Sequence, residues 1–550
     1  MSDNDRTGGG AWSRREWLKS AAAGTAGLAA GATAHAQVRG GDRRDDDRRG
    51  GRDRRNRDAV VGDVGLVNGT FIDGRGVVAS AMTIRNGRIA NVGRLESIAP
   101  DTPVVNLHGR TVIPGLIDSH VHYTRAGVNP GYEARRIERA FSIRELQETI
   151  AQRARSVPRG AFITCVGGWN HTQFAEARRP TKAELDEAAP RHAVYISGTG
   201  AGTGAITNSL GQAFFSARGL AVDAVTGVLA EAAAFAALQS VQTPEDKLRG
   251  TLEMNTHANS LGLTTVMNNG NFPDLEFPLQ LWREERLTIR MRPLYPANTP
   301  EEAEARILNN FSHGGRPLGH DLFRVTGFGE RIGGNDTTST MFEPTSRVIA
   351  QHRWMMYQHS ISLAENDFHI AAFQRIADEF PIDGLRWAII HVQRIDAARL
   401  QALKDLGAGA LPQTWTYLGT AGGPPFRDIV DSGVFTGGGT DSTNVAALDP
   451  WSALFYMTTG RNVAGILTNP GQQISRLEAL RMYTEGSAYA AFEEDHLGSF
   501  EEGKLADLVV LSDDYLTVPE DRLRKVESVL TLVGGQAVYA ARPFDNLLDK

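Results

Sequence analysis

One short run of the sequence, VIPGLIDSHVH at residues 112–122, limits the fold more than any other feature. Its apolar part predicts a buried strand, and the strand ends in two histidines separated by one residue. Because alternate side chains of an extended chain point the same way, His120 and His122 are expected on one side of the strand end. Two adjacent imidazoles suit zinc or another divalent transition metal. A pair of this kind, taken alone, is also typical of ordinary surface or core histidines.

The long middle of the chain, about 111–491, alternates short apolar runs with stretches rich in Ala, Leu and Glu. Repeated strand and helix units of this kind favour a (β/α)₈ barrel or a doubly wound sheet. The predicted strands are 112–120, 161–166, 193–197, 263–267, 287–294, 323–328, 354–359, 388–391, 408–411 and 434–437. Short strands with turns both precede and follow this region, which indicates a small β-sandwich assembled from both termini.

Cysteine and charge content exclude several classes of protein. The chain has 550 residues but only one cysteine, Cys165, so a disulfide framework or a multi-cysteine metal site is excluded. Cys165 lies in an apolar run and is interpreted as a buried strand residue. The formal net charge of −6 gives no reason to expect a nucleic-acid partner.

The first residues resemble an export signal. Residues 13–19 read SRREWLK, an Ala- and Gly-rich stretch follows, and AHA at 34–36 is a small-x-small cleavage site. The apolar stretch is shorter than the about 20 residues that a membrane span needs. We therefore predict a twin-arginine signal peptide at 1–36, an Arg/Asp/Gly-rich linker at 37–58, and a periplasmic or secreted protein with the twin-arginine translocase as its partner during export.

The run PGLIDSHVH at 114–122 resembles the first-strand signature of the amidohydrolase superfamily. The segment GSFEEGKLADLVVL at 498–511 is similar to its C-terminal signature, and VGLVNG at 64–69 to its first strand. The runs GGWN at 167–170, RPTKAELD at 179–186 and NSL at 208–210 resemble the YtcJ-like or N-substituted formamide deformylase-like group. The resemblance implies an α/β fold with a TIM-like (β/α)₈ barrel at 109–491 and a small β-sandwich made of 59–108 and 492–550.

The resemblance also implies a set of metal ligands. His120 and His122 are joined by His359, His391 and Asp441, each at the end of a predicted strand, around one or two divalent ions, with zinc expected. Binuclear members usually bridge the ions with a lysine or glutamate on a middle strand, and no lysine lies on such a strand here. We assign the bridging or additional carboxylate to Glu330, with a loop salt bridge to Arg331 as the alternative.

The predicted function is hydrolysis of a C–N bond in an amide, an N-formyl or N-acyl amine, or a cyclic amide, through a metal-activated hydroxide. Asp441 is the expected proton carrier, and His391 ligates a metal or orients the carbonyl. Trp169, Asn170 and Tyr417 are candidates for lining the pocket of a small-molecule substrate. The alternatives are a heterocycle deaminase with one metal and an exported binding or regulatory protein without turnover. The glycine-rich run at 198–204 lacks a histidine that the YtcJ-like group often has, and a homo-oligomer is left open.

Overall fold

The computed structural model describes residues 64–199, 204–269, 272–309, 319–334 and 338–548. The predicted signal peptide at 1–36, the linker at 37–58, residues 59–63 and most of the glycine-rich run at 198–204 lie outside the described residues. Within the described ranges, no helix is both long enough and apolar enough to cross a membrane.

Nineteen strands are described in these ranges, and three sheets contain them. In chain order they are β1 (Val64–Asp73), β2 (Gly76–Arg85), β3 (Arg88–Gly93), β4 (Val104–Pro114), β5 (Leu116–Val121), β6 (Tyr132–Glu133), β7 (Phe162–Val166), β8 (Ala193–Ser197), β9 (Ala205–Thr207), β10 (Val228–Leu229), β11 (Leu263–Asn269), β12 (Arg290–Tyr295), β13 (Gly327–Phe328), β14 (Met355–Ser360), β15 (Ala388–His391), β16 (Gly409–Pro412), β17 (Leu508–Leu511), β18 (Ser528–Val533) and β19 (Gln536–Ala540).

The α-helices lie between and after these strands. Several begin with a Ser or Thr whose side chain caps the first turn while an acidic residue three positions later bonds back, as Thr243 and Asp246 do. The described α-helices are Tyr123–Gly127, Ile143–Ala154, Lys182–Ala188, Ser209–Ser216, Glu231–Gln239, Pro244–Ser260, Glu276–Arg283, Pro300–Asn309, Phe342–Gln351, Leu363–Ala377, Ala397–Asp405, Phe426–Ser432, Pro450–Thr459, Arg476–Arg481, Ser487–Ala490 and Glu520–Leu523.

Both ends of the described chain form one seven-stranded sheet, in the order β19-β18-β17-β4-β1-β2-β3. Its centre joins the two ends, because β4 pairs in parallel with β1 and antiparallel with β17. Apolar side chains from distant strands, such as Met82 of β2 and Leu530 of β18, belong to one buried core. This confirms the predicted β domain assembled from both termini.

A second sheet forms the barrel, in the order β16-β15-β14-β13-β12-β11-β5, with parallel pairing between neighbours. The strands are buried on both sides, as β5 and β14 show with every residue buried. This pattern is expected of parallel strands covered by helices. The predicted TIM-like barrel is therefore confirmed.

The eighth position of the barrel is occupied by an irregular segment, where the sequence predicts a strand at 434–437. This segment still bonds to both neighbouring strands: the Ala410 N–H donates to the Phe435 carbonyl at 3.1 Å, and the Ser119 N–H donates to the Gly438 carbonyl at 3.0 Å. These bonds close the barrel between β16 and β5 without a regular ladder.

Strand β13 is shorter than the predicted strand at 323–328. The residues before Gly327 still lie along β12, since Thr326 donates its N–H to the Pro293 carbonyl at 3.1 Å. Pro293 has no N–H to return, so the ladder is interrupted at this point. The predicted strand at 323–328 is therefore a hydrogen-bonded but irregular segment, and only its last two residues, Gly327 and Phe328, form a regular strand.

The third sheet, β10-β9-β8-β7-β6, is inserted between the first and second barrel strands. The predicted strands at 161–166 and 193–197 form β7 and β8 of this sheet and are not barrel strands. Cys165 lies in β7 and is fully buried, as the sequence predicts. A buried network holds the insertion against the barrel: Arg135 donates to Glu138 at 2.6 Å, and Glu138 accepts from the Leu448 N–H at 2.9 Å.

A buried ion pair also links the barrel to the terminal sheet. Arg290 of β12 donates to both carboxylate oxygens of Asp507 at 2.8 Å, and both side chains are almost fully buried. Asp507 also accepts the Gly534 N–H at 2.7 Å. Removing one member of such a pair leaves an uncompensated charge in the interior.

We expect Asp507→Ala to lower the free energy of unfolding by about 3–5 kcal/mol, because Arg290 then remains buried without its partner. Urea unfolding followed by circular dichroism measures the change. The matched control is Glu148→Ala, which breaks the exposed pair with Arg144 and is expected to cost roughly 0.3–0.5 kcal/mol. Equal losses in the two variants would show that the buried pair does not stabilise the contact between the domains.

Candidate metal centre

The structure brings all six predicted ligands together at one end of the barrel. His120 and His122 lie at the end of β5, His359 in β14, and His391 at the end of β15. The two carboxylates lie outside regular strands: Glu330 follows β13, and Asp441 belongs to the irregular segment that closes the barrel. These positions are the carboxyl ends of the parallel strands, where barrel enzymes carry their active sites.

Glu330 lies at the centre of the cluster. Its Oε2 is 3.0 Å from His391 Nε2, 3.5 Å from His359 Nδ1 and 3.6 Å from His120 Nε2. Its other oxygen, Oε1, is 3.5 Å from His122 Nε2. One carboxylate therefore faces all four imidazoles.

Asp441 approaches the same histidines from the opposite edge of the barrel opening. Its Oδ1 is 3.3 Å from His120 Nε2 and 3.4 Å from His122 Nε2, and its Oδ2 is 3.5 Å from His391 Nδ1. The carboxylate of Asp441 thus lies within 3.5 Å of ring nitrogens of three of the four histidines.

The distances fit metal ligation better than direct hydrogen bonding. Most of the nitrogen–oxygen separations are 3.3–3.6 Å, beyond the usual range for a hydrogen bond of about 2.7–3.2 Å. Two atoms that each lie about 2.0–2.1 Å from a tetrahedral zinc are roughly 3.3 Å apart. Within the described residues, the buried Nδ1 atoms of His359 and His391 also have no hydrogen-bond partner.

Three sets of side chains have ligand atoms within 4.8 Å of one another. They are His120, His122 and Glu330; His120, His391 and Asp441; and Glu330, His359 and His391. Glu330 belongs to two sets that have no histidine in common. The donor set of imidazoles and carboxylates can therefore hold a divalent metal.

The geometry also distinguishes between the two predicted roles of Glu330, a metal ligand and a partner of Arg331 in a loop salt bridge. Its Oε1 is 4.0 Å from Arg331 Nε, farther than its oxygens lie from any of the four imidazoles. Glu330 is directed into the barrel opening, with 12% of its side chain exposed, whereas 38% of the Arg331 side chain is exposed. A loop salt bridge is therefore the weaker contact of this carboxylate.

Burial and the neighbouring histidines shift the pKa of the two carboxylates in opposite directions. Burial by itself raises the pKa of Glu330, but the neighbouring imidazoles of His359 and His391 hold that pKa well below its usual range. The pKa of Asp441 is lowered in the same way, with burial opposed by His391, His120 and His122. The surrounding histidines therefore favour the ionised form of both carboxylates, which is the form that binds a metal.

The pKa values of His391 and His120 shift in opposite directions, although both rings are buried. Burial lowers the pKa of His391. For His120, burial also acts downward, but Asp441 and Glu330 outweigh it and raise the pKa. His122 is oriented by a contact of 2.9 Å from its Nδ1 to the Asn269 carbonyl, which leaves Nε2 facing the carboxylates. Fixing the second ring nitrogen in this way is typical of ligating histidines.

Three residues at the opening have backbone conformations that L side chains rarely adopt. His391, Val392 and Asp441 have φ values of 71°, 47° and 61°, and the β-branched Val392 is the least expected of them. Backbone bonds hold this geometry: Val392 donates to the Ser360 carbonyl at 3.1 Å, and Asp441 to the His120 carbonyl at 2.9 Å. Strain of this kind is concentrated at functional sites.

Asp118 is a positioning residue that the sequence reasoning did not select. Its carboxylate is fully buried and accepts from Thr440 Oγ1 at 2.6 Å, from the Thr440 N–H at 3.1 Å and from the His120 N–H at 3.1 Å. Burial raises its pKa to about 6, although these hydrogen bonds act against the shift. Asp118 thus joins the strand carrying His120 to the segment carrying Asp441. A carboxylate inside an otherwise apolar run, two residues before a ligand, was the available signal.

The three pocket candidates have different surroundings. Trp169 is buried in the core of the inserted sheet, and its ring is 5.7 Å from that of Phe174. Asn170 caps a short helix and donates to the Thr199 carbonyl at 3.2 Å. The Thr199 hydroxyl in turn donates to the Asn444 carbonyl at 3.0 Å, so this loop reaches the chain just beyond Asp441.

Tyr417, by contrast, packs between aromatic rings of the barrel's outer layer. Its ring is 6.3 Å from Phe455 and 6.1 Å from Tyr456, and the side chain is buried. The role of all three residues in a substrate pocket stays a prediction.

Residues 103–539 match the model of the Amidohydrolase family. Among similar curated proteins, Protein LONG AFTER FAR-RED 3 of Arabidopsis thaliana is 26% identical, over 87% of this chain and 92% of its own length. N-substituted formamide deformylase of Arthrobacter pascens is 23% identical, over 85% and 96%. Putative amidohydrolase YtcJ of Bacillus subtilis (strain 168) is 23% identical, over 84% and 96%.

Solved structures share the fold. An uncharacterised metal-dependent hydrolase from Pyrococcus horikoshii has a TM-score of 0.57 at 20% identity, covering 84% of this chain and 99% of that one. Atrazine chlorohydrolase TrzN from Arthrobacter aurescens, in complex with zinc, has a TM-score of 0.54 at 15% identity, covering 87% and 95%.

The family match spans most of the chain, the curated relatives include the two groups that the motifs indicate, and the barrel holds a donor set suited to a divalent metal. The chain therefore belongs to the Amidohydrolase family and is an amidohydrolase-type enzyme.

Proposed function

We propose that the protein uses two zinc ions to hydrolyse N-formyl amines, N-acyl amines or cyclic amides. The observation that carries the proposal is the position of Glu330, which faces four imidazoles and belongs to two separate ligand sets. The similarity to N-substituted formamide deformylase supports the choice of substrate class. The zinc in the TrzN structure supports the choice of metal.

The chain's own residues have separate tasks in this proposal. His120 and His122 would hold one ion, His359 and His391 the other, and Glu330 would lie between them. Bound divalent cations supply a Lewis acid for the carbonyl and lower the pKa of water so that hydroxide is available at neutral pH. Asp441, ionised and next to three of the histidines, accepts the proton of the attacking water and returns it to the leaving nitrogen.

The position of Glu330 argues against the one-metal deaminase. That alternative leaves Glu330 outside the ligand set, whereas its Oε2 lies 3.0 Å from His391 Nε2 and 3.5 Å from His359 Nδ1. The released product distinguishes the two reactions: deamination of a heterocycle releases ammonia, and amide hydrolysis releases a carboxylate.

We expect Asp441→Asn to lower kcat by about 10²–10⁴-fold, because an amide cannot carry the proton. Metal content, measured by mass spectrometry of the purified protein, should remain largely intact. Asp431→Asn is the control, since that carboxylate is exposed and pairs only at the surface with Arg427. Normal turnover in the Asp441 variant would contradict its role as proton carrier.

We expect Glu330→Gln to reduce the zinc content from about two ions per chain to about one, because the shared carboxylate loses its charge. Each protein is stripped with a chelator, reloaded with zinc, dialysed and analysed by elemental mass spectrometry. Glu379→Gln, which removes an exposed carboxylate that pairs with Arg347, should bind zinc like the unchanged protein. A single ion in the unchanged protein would remove the bridging role.

We also propose that residues 1–36 direct export by the twin-arginine route, on the basis of the paired Arg14 and Arg15. Replacing both arginines by lysine should leave the unprocessed precursor in the cytoplasm of a bacterial host. Cell fractionation followed by mass spectrometry of the N-terminus measures this. Unchanged export and processing of the variant would contradict the proposed route.

A further inference from the structure

A row of four buried polar side chains joins β14 to the α-helix that follows it. Gln358 and Ser360 belong to β14, on either side of the predicted ligand His359, and Asn366 and His369 belong to the helix. All four of these side chains, the polar row, are fully buried. Because alternate residues of a strand point to opposite faces, Gln358 and Ser360 lie on the face opposite to that of His359. The polar row is therefore separate from the ligand set.

One end of the polar row holds the loop that carries Glu330. The N–H of Ile332, two residues after Glu330, donates to Gln358 Oε1 at 2.9 Å. Since the oxygen of this amide is the acceptor, its Nε2 is the donor toward His369 Nε2, which lies 3.3 Å away. Gln358 therefore connects the backbone beside Glu330 to the rest of the row.

The other end of the polar row holds the chain just after His391. Asn366 Nδ2 donates to the Arg394 carbonyl at 2.7 Å. Arg394 lies three residues after His391, in the loop that follows β15. Asn366 Oδ1 accepts from Ser360 Oγ at 2.6 Å. Asn366 therefore connects this loop to the strand residue that follows His359.

His369 joins the two halves of the polar row. Its Nδ1 is 3.2 Å from Ser360 Oγ, and its Nε2 is 3.3 Å from Gln358 Nε2. Ser360 gives its own proton to Asn366 and Gln358 offers an N–H, so each bond has one donor and one acceptor when the neutral ring carries its proton on Nδ1. The ring also packs edge-on against Phe342, with 4.7 Å between the ring centres. The row is therefore continuous from one loop to the other.

We propose that the polar row positions Glu330, His359 and His391 as the ligands of one metal ion, with His369 as its central positioning residue. These three side chains form one of the ligand sets of the cluster, and the row is bonded to the chain beside each of them. It acts through the backbone, because its outer bonds go to an N–H and a carbonyl group. The inference rests on the proposed function, because it concerns one of the two proposed zinc ions.

The test measures zinc affinity, which does not depend on turnover. Metal-free protein is titrated with zinc in competition with a coloured chelator, which gives a dissociation constant for each ion. His369→Phe keeps an aromatic ring beside Phe342 but removes both hydrogen bonds, so the affinity for one ion should fall by about 10–100-fold while that for the other is unchanged. Ser360→Ala removes only one hydroxyl group and should weaken the same ion. If His369→Phe does not fold, Ser360→Ala decides the test.

The matched control is Asn259→Leu. Asn259 is also fully buried and also donates to the backbone, at 3.0 Å to the carbonyl of Leu263, but Leu263 begins β11 at the opposite end of the barrel. This variant should unfold at a lower temperature and keep both zinc affinities. A loss of zinc affinity in the control as large as that in His369→Phe would overturn the proposal, because any lost buried hydrogen bond would then have the same effect.

A double-mutant cycle with His359→Ala shows which ion the row affects. His359→Ala removes a ligand of the proposed second ion. In this background, His369→Phe should leave the affinity for the remaining ion unchanged, because the ligand set on which the row acts is already incomplete. A further loss as large as that caused by His369→Phe alone would overturn the proposal.

The same titrations separate this proposal from the one on which it rests. Two zinc ions whose affinities are unaltered in His369→Phe and Ser360→Ala retain the proposed function and contradict the positioning role. A single zinc ion contradicts the two-ion function, and a loss of its affinity in His369→Phe but not in Asn259→Leu still supports the positioning role, whereas an unaltered affinity contradicts it. An unchanged protein that binds no zinc overturns both proposals.

Discussion

The convergence of two ionised carboxylates and four imidazoles in one buried cluster is the constraint on which the site depends. Removing such groups from water is unfavourable unless opposite charges or a metal compensate them. Glu330 and Asp441 satisfy this condition only because β5, β13, β14, β15 and the closing segment end at the same place. A barrel provides that arrangement, since the carboxyl ends of all its strands meet at one opening.

The clustering of the predicted ligands could be foreseen because the sequence signals of these residues are local. His120 and His122 follow an apolar run, and His359 and His391 end buried strands, so each is visible in a few residues of sequence. Glu330 was selected by elimination, because no lysine occupies a middle strand. Asp118 could not be assigned in this way, since its role depends on a contact with Thr440, a residue distant in sequence.

The fold was predicted better in class than in detail. The barrel and the terminal β domain follow from periodicity and order, but periodicity cannot tell which strands share a sheet. Strands β7 and β8 have the same apolar pattern as barrel strands and yet pair in a separate sheet. The eighth barrel position was predicted as a strand because its sequence is apolar, whereas its glycines Gly437–Gly439 favour an irregular path. That irregular path places Asp441 against His120.

The central position of β4 has a consequence for the order in which the chain folds during synthesis. β4 lies between β1 and β17, and it leads directly into the first barrel strand. One edge of β4 therefore has no partner until the ribosome has made almost the whole chain, and contacts of such long sequence separation form slowly. The nascent protein exposes an open sheet edge during this interval, which makes it a substrate for chaperones and a target for aggregation.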